Sequence, residues 1–143
     1  MSMTREEMDK VVNDHFEYEA NDDLEGVMGT LADGGASHEI IPGPYGPLTD
    51  PARIREFYTQ LYTELTGEGV TPVRRLYGED FVVDETIWHG QMTDRGSLLA
   101  ARRSGRGDLR LLHVFNLSDG KIVQEQAWWD LARVQKALGC TVS

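Results

Sequence analysis

The chain has 143 residues, of which 40% are hydrophobic and 27% charged, so we expect one globular domain over residues 1–143. Its formal net charge is −10, from 24 acidic against 14 basic residues, and no basic cluster offsets it, which argues against a nucleic-acid partner. No apolar run approaches the roughly 20 residues that a membrane span needs. Cys140 is the single cysteine and excludes an internal disulfide, so we expect a cytoplasmic protein with no membrane partner.

The N-terminal part of the chain predicts two helices. Thr4 and Glu7 have the spacing of a capping box, in which a hydroxyl and a carboxylate satisfy backbone amides at a helix start. Apolar residues then recur at helical spacing until Asn21-Asp22-Asp23, which interrupts this helix and caps a second one. His15 and Glu19 lie one turn apart on the apolar face of the first helix. Both are candidates to line a cavity, with core packing as the alternative for His15.

A short strand and a third helix follow. The strand is expected around Ser37–Ile41, and a Pro/Gly-rich loop that contains Tyr45 closes it. Asp50-Pro51 has the pattern of an N-cap followed by the first helical residue. The apolar stripe of this helix includes Tyr58, and Gly67 suits a left-handed position at its end.

The second half of the chain reads as strands. We expect them at 73–77, 81–89 and 97–103, then in a long hairpin, and a last helical turn at Leu131–Leu138. Helices first and antiparallel strands afterwards predict an α+β fold, with three N-terminal helices packed on a strongly curved, mostly antiparallel sheet. A curved sheet capped by helices forms a cone whose open end is a pocket.

The hairpin carries the most chemistry. Its two β-favouring runs, Arg110–Leu117 and Ile122–Asp130, are joined by an Asp-Gly turn. His113 lies in one run and Glu125 in the other, each among apolar residues. An apolar environment raises the pKa of a carboxyl group, and a raised pKa is what general acid–base catalysis near neutral pH requires.

The register of this hairpin has two alternatives. A three-residue loop with a G1 bulge would pair Leu117 with Lys121 and place His113 opposite Glu125. A two-residue loop would pair His113 with Gln126 instead. The structural alternative to catalysis is a core histidine bonded to a backbone carbonyl, with Glu125 on an outer face.

Four parts of the chain together carry a family resemblance: Phe16–Asp22, His38–Gly43 leading to Ile54–Tyr58, Phe81–Glu85, and Asp119–Leu131. Through them, nearly the whole chain resembles the SnoaL-like branch of the nuclear transport factor 2-like superfamily. The resemblance implies a conical α+β barrel and frequent homodimers. Its members include polyketide cyclases, ketosteroid isomerases, scytalone-type dehydratases, limonene-type epoxide hydrolases and plain ligand binders, so the fold does not fix the function.

The resemblance to limonene-type epoxide hydrolases stops at their acid–base residues. The Tyr and Asn that hold water in those enzymes correspond to His38 and Ile40 here. Their Arg and Asp of the middle strand correspond to Thr86 and Trp88, and their last Asp to Ala127. The resemblance therefore places Trp88 inside the cone and leaves His89 structural or solvated. Scytalone-type dehydratases use two pocket histidines and tyrosines, an inventory similar to His38, His113, Tyr45 and Tyr58.

Taken together, these patterns predict an enzyme without metal or cofactor that acts on a small hydrophobic molecule of secondary metabolism. The expected reaction is a cyclisation, dehydration or isomerisation by acid–base catalysis, including the opening of an epoxide to close an ether ring. The expected catalytic residues are His113, Glu125 and His38. The expected substrate-binding residues are Tyr45, Tyr58, Trp88, His15 and Glu19. A homodimer is expected, and the alternative function is a non-catalytic ligand-binding or dimerisation domain.

Overall fold

The computed structural model describes residues 3–93 and 103–139 as helices packed over one face of a sheet. Its helices are α1 (Arg5–Ala20), α2 (Leu24–Thr30), α3 (Pro51–Glu64) and α4 (Leu131–Ala137). Its strands are β1 (Ser37–Ile41), β2 (Leu65–Tyr77), β3 (Phe81–Thr93), β4 (Ser104–Ser118) and β5 (Lys121–Trp129). No helix within these residues is long and apolar enough to cross a membrane.

The helices begin where the sequence predicts them. The Thr4 hydroxyl accepts a hydrogen bond from the Glu7 amide, and the Glu7 carboxylate accepts one from the Thr4 amide, so the predicted capping box is present. Asp50 caps α3, with Pro51 as its first residue. Asp130 caps α4 by accepting from the Arg133 amide. These caps satisfy amides that have no partner inside the helix.

The sheet has the order β1-β5-β4-β3-β2, in which β1 is parallel to β5 and every other pair is antiparallel. Register irregularities interrupt β2 and the β4–β5 pair, and such bulges bend and twist strands. The predicted α+β fold, with three N-terminal helices on a curved and mostly antiparallel sheet, is confirmed.

The predicted element boundaries were wrong at β2. Helix α3 ends at Glu64, and Leu65 already has extended dihedral angles (φ −122°, ψ 125°). Gly67 therefore does not cap a helix but pairs with Gly90 inside the sheet. The strand begins eight residues before position 73 because edge pairing with β3 continues to this point. The strand expected at 97–103 falls almost wholly on residues outside those described, as does Cys140.

Neither predicted register of the hairpin is correct. Asp119 and Gly120 form a two-residue turn, so Ser118 pairs with Lys121. A register shift follows directly, between Asn116 and Leu117.

The consequence of this shift is that Phe115 pairs with Glu125 and His113 pairs with Ala127. Because β5 has one extra residue after the turn, each later pair is shifted by one position from the register that the two-residue loop predicts. Because positions 125 and 127 lie on the same face of β5, His113 and Glu125 still share a face as diagonal neighbours. That face is the concave one, toward the helices.

The core lies between the helices and this concave face. Its main cluster includes the fully buried side chains of Val12, Val27, Tyr58, Phe115 and Ile122. A smaller cluster under α4 contains Met92, Leu109, Trp129, Val134 and Leu138. Between α1, α3 and the sheet, this packing leaves the cone open.

Candidate active site

A cavity of about 600 Å³ fills the open part of the cone. Its apolar walls include Phe16, Ile40, Phe57, Leu61, Trp88, Leu111 and Trp129. Its polar lining includes Glu19, His38, Tyr62, Asp84, His113 and Glu125. An apolar cavity with a few convergent polar groups is the usual form of a small-molecule site.

Glu125 is the centre of the polar groups, and its side chain is 1% exposed. The Tyr58 hydroxyl donates to Glu125 Oε1 at 2.7 Å, and His15 Nε2 lies 3.2 Å from the same oxygen. His38 Nε2 lies 3.8 Å from Oε1, and His113 Nε2 lies 3.8 Å from Oε2. Oε1 is therefore crowded, whereas the His113 ring is the one close neighbour of Oε2 among these contacts.

His15 is held by its second ring nitrogen. The Thr30 hydroxyl donates to the Val27 carbonyl at 2.6 Å, so its oxygen accepts the hydrogen bond from His15 Nδ1 at 2.7 Å. The titrating position of His15 is therefore Nε2, which points at Glu125 and lies 3.6 Å from Glu19 Oε1. Burial disfavours the charged ring, but the negative charges of Glu125 and Glu19 outweigh it and raise the pKa of His15 to about 10.

Because of this ion pair, the pKa of Glu125 is lowered, and the raised pKa expected from the sequence is wrong. Burial alone would raise it, but the charges and hydrogen bonds of His15, followed by His38 and His113, hold the pKa of Glu125 well below its usual 4.5. The sequence pattern showed an apolar environment and did not show the cationic partner. Glu125 is thus an anion at neutral pH, paired with an imidazolium.

His38 and His113 are the imidazoles that face the cavity. Burial lowers the pKa of His38, and the charges of Glu125 and Glu19 only partly offset this effect. The Nδ1 atoms of both rings are buried without a hydrogen-bond partner within the described part of the chain. A buried N–H without an acceptor costs about 1–3 kcal/mol, so the proton of a neutral ring is favoured on Nε2, toward Glu125 and the cavity.

The expected substrate-binding residues divide into three groups. Trp88 and Glu19 line the cavity, as does the catalytic candidate His38. Tyr58 and His15 are not among the lining residues; they lie fully buried behind Glu125 and hold its carboxylate. Tyr45 lies apart from the cavity lining, because its loop carries it to the surface, where it is 47% exposed and donates to Gln60.

The outer face of the sheet carries His89 and Trp128. The His89 ring bonds to Thr71 and Asp108 on neighbouring strands, so it is structural and partly solvated as expected. Trp128 faces outward and is 44% exposed. Its neighbour Trp129 faces the cavity, and its indole N–H donates to the Pro42 carbonyl at 2.7 Å.

Several cavity residues escaped the sequence reasoning, among them Tyr62, Asp84 and Arg75. Tyr62 lies one turn after Tyr58 on α3, and this spacing was a usable signal. Asp84 lies directly opposite His113 on the inner face of β3, and strand alternation from Trp88 indicates it. The Arg75 guanidinium donates to Asp84 Oδ2 at 2.8 Å, a contact that no sequence pattern reveals.

One group of side chains has the composition of a metal site. The donor atoms of His15, Glu19 and Glu125 lie within 4.8 Å of one another. A divalent ion there would replace the Nε2 proton of His15. The positive charge of the His15 ring already neutralises the two carboxylates at this position, so we interpret the arrangement as an ion pair.

Comparison with known proteins gives a consistent picture. Residues 12–125 match the SnoaL-like domain family. No curated protein sequence matches the chain. Among solved structures, a protein provisionally named as a SnoaL-like polyketide cyclase from Jannaschia superposes with a TM-score of 0.80 at 15% identity, covering 99% of both chains.

Two further solved structures have the same fold. An LEH-like epoxide hydrolase of M. tuberculosis has a TM-score of 0.70 at 17% identity, covering 92% of this chain and 89% of its own. A protein provisionally named as an isomerase from Bacillus subtilis has a TM-score of 0.73 at 16% identity, covering 92% of this chain and 94% of its own. Identities this low establish the fold and not the reaction.

Proposed function

The chain belongs to the SnoaL-like domain family, and from this membership we propose that it is an enzyme that moves a proton within a small hydrophobic substrate. The reaction class is a cyclisation, dehydration or isomerisation that needs neither metal nor cofactor. The observation that carries the proposal is the pair formed by Glu125 Oε2 and His113 Nε2, 3.8 Å apart at the wall of an apolar cavity.

Glu125 is the proton acceptor of the proposed reaction. Its Oε1 is occupied by Tyr58 and His15, so Oε2 is the oxygen left to take a proton from the substrate. Because its pKa is held low, Glu125 is a weak base. It therefore needs a substrate proton that is acidic or that becomes acidic as the reaction proceeds, such as one next to a carbonyl group or an opening epoxide.

His113 and His38 provide the second half of the reaction. Their Nε2–H groups donate hydrogen bonds to the substrate oxygen on which negative charge develops, and such donors contribute most in a site that excludes water. Glu125 then returns the proton to a second carbon in an isomerisation, or to the departing oxygen in a dehydration. The aromatic walls formed by Phe57 and Trp88 hold a flat ring system against these groups.

The test is hydrogen–deuterium exchange at acidic carbons, which does not require the natural substrate. A panel of hydrophobic aromatic ketones is incubated in D2O with the protein, and deuterium incorporation is followed by mass spectrometry. General acid–base catalysis contributes roughly 10²- to 10⁴-fold, and we expect Glu125→Gln to lose an effect of this order for any ketone that the wild type exchanges. Glu79→Gln is the matched control. Glu79 lies outside the cavity, and its replacement removes one negative charge, as Glu125→Gln does.

Exchange that is equal in the wild type and in folded Glu125→Gln would refute the proposal. The alternative is a domain that binds a ligand without turnover. The observation that favours it is that Glu125 already has close partners in Tyr58 and His15. Binding of a ketone in the cavity with exchange no faster than in the buffer would support this alternative.

We also propose that two copies associate through the outer face of the sheet. Leu76 and Trp128 lie on this face and are 50% and 44% exposed, so a second copy packed there would bury both. Light scattering after size exclusion should give twice the chain mass for the wild type and a smaller mass for Trp128→Ser. A monomeric wild type would contradict the proposal.

A further inference from the structure

The lining of the cavity has an excess of negative charge. Among the described residues, five acidic side chains line the cavity, and Arg75 is the one lysine or arginine that does so. The acids are Glu19, Asp22, Glu68, Asp84 and Glu125. We refer to the two carboxylates at the end of α1, Glu19 and Asp22, as the acidic rim; Tyr62 of α3 lies near both.

The cations near the cavity are already engaged. Arg75 donates to Asp84 at 2.8 Å and to Asp9 at 2.9 Å, so two carboxylates share its charge. Glu68 is paired with Arg106 at 3.0 Å. The imidazolium of His15 is shared between two carboxylates, with Glu125 closer than Glu19.

The remaining negative charge therefore centres on the acidic rim. Glu19 has only the more distant share of the His15 charge, at 3.6 Å, and keeps part of its side chain accessible from the cavity. Asp22 lies three residues further on, where α1 has ended, and it also faces the cavity.

The backbone of α1 adds to the negative charge at this point. The C-terminal end of a helix carries a partial negative charge that favours nearby cations. The last turn of α1 has no basic residue to meet it. Burial, with the charges of Glu19 and Asp22, raises the pKa of Tyr62, which is consistent with a negative field at this point.

Aromatic side chains line the same cavity as these charges. They are Phe16, Phe57, Tyr62 and Trp88. The face of an aromatic ring attracts an organic cation, and this attraction is larger in a site with little water. Carboxylates and aromatic rings together fit a hydrophobic molecule that carries a positive charge, whereas a carboxylate or phosphate in the ligand would be repelled.

We propose that the substrate of the cavity is a hydrophobic molecule with a protonated amine, and that the ammonium group lies at the acidic rim. The proposal rests on the proposed function for the location of the reacting groups, and it adds the charge of the substrate. The apolar body of the molecule packs against the aromatic walls, and the reacting carbon lies further in, beside Glu125 and His113. Glu19 and Asp22 are specificity residues in this arrangement and take no part in proton transfer.

The test compares three probes of equal shape and different charge. Naphthalen-2-ylmethanamine is a cation at pH 7, naphthalen-2-ylmethanol is neutral, and naphthalene-2-carboxylate is an anion. Binding is followed by NMR of the three indole N–H groups, of which Trp88 and Trp129 line the cavity and Trp128 lies on the outer face as an internal control. We expect the amine to bind about tenfold more tightly than the alcohol, with the carboxylate weakest.

The variants assign this preference to the acidic rim. Glu19→Gln and Asp22→Asn should reduce the preference for the amine several-fold each while affinity for the alcohol stays the same. Asp22 has a φ of +52°, which asparagine also adopts readily, so the second variant keeps the fold. Glu79→Gln, outside the cavity, should leave the preference unchanged.

Equal affinity for amine and alcohol, tighter binding of the carboxylate, or no movement of the Trp88 and Trp129 signals with any probe would each overturn the proposal. The proposal would also be overturned if Glu79→Gln lowered the preference for the amine as much as Glu19→Gln does, because the effect would then come from the net charge alone. These outcomes are independent of exchange by Glu125, since none of the probes needs to react. The proposed function can fail while the charge preference stands, and the reverse is also true.

Discussion

The buried ion pair between His15 and Glu125 makes a specific prediction about stability and pH. Replacing Glu125 by the isosteric glutamine leaves the His15 ring without its main partner. Removing one partner of a buried pair costs about 3–5 kcal/mol, and we expect that loss in the free energy of unfolding of Glu125→Gln near pH 6. The Tyr58 hydroxyl also loses a charged acceptor at 2.7 Å.

The sign of the pH dependence follows from the direction of each shift. The pKa of His15 is raised from 6.5 to about 10, so its contribution is complete below about pH 6.5 and is lost as the pH rises through about 10. The pKa of Glu125 is lowered from 4.5, so its contribution is present above about pH 4.5 and is lost as the pH falls further. One ion pair underlies both shifts, and its full stabilising effect is present between about pH 4.5 and about pH 6.5.

The assay is urea unfolding followed by circular dichroism at several pH values from 6 to 10. The wild type should lose up to about 1.4 kcal/mol per pH unit from this pair within that window. The variant should lose much less, so the difference between the two proteins should shrink toward about 1 kcal/mol, the size of one remaining hydrogen bond. A difference that stays constant from pH 6 to pH 10 would refute a charged His15.

Three other substitutions test neighbouring parts of the structure. Tyr58→Phe removes the hydroxyl that donates to Glu125 and should cost about 1.5–3 kcal/mol in urea unfolding, and no measurable loss would contradict this hydrogen bond. Thr30→Val removes the acceptor of the His15 Nδ1 proton and should lower the pKa of His15 in an NMR titration, whereas an unchanged pKa would show that Thr30 does not fix the ring. Phe115→Ala should cost about 3–5 kcal/mol because the ring is fully buried, and a much smaller loss in the same unfolding assay would place Phe115 outside the core.

The features that could be predicted from the sequence are those with local causes. The capping box at Thr4 and the Asp50 N-cap each depend on residues within four positions, and both form as expected. Strand alternation puts Trp88 and His89 on opposite faces of the sheet, and the family resemblance identified Trp88 as the inward one. The prediction that His113 and Glu125 share a face is confirmed, because a shift of the pairing by two residues, from Glu125 to Ala127, leaves both side chains on the same face.

The features that could not be predicted depend on the packing of distant elements. The register shift beside Leu117 leaves no distinct sequence signal, and it moved His113 from the predicted partners to Ala127. The charge of Glu125 depends on His15, which lies on a helix 110 residues earlier in the chain. A periodic pattern can identify both side chains as inward, but it cannot give the 3.2 Å between them. The predicted rise in the pKa of Glu125 failed for this reason.

The positions of the hydrogen atoms at the buried site test the central claim most directly. Neutron diffraction from a deuterated crystal near pD 7 would locate them on His15 and Glu125. The ion pair predicts deuterium on both nitrogens of His15, with the Nδ1 deuteron toward Thr30, and none on either oxygen of Glu125. Deuterium on a Glu125 oxygen beside a singly protonated His15 ring would contradict the account.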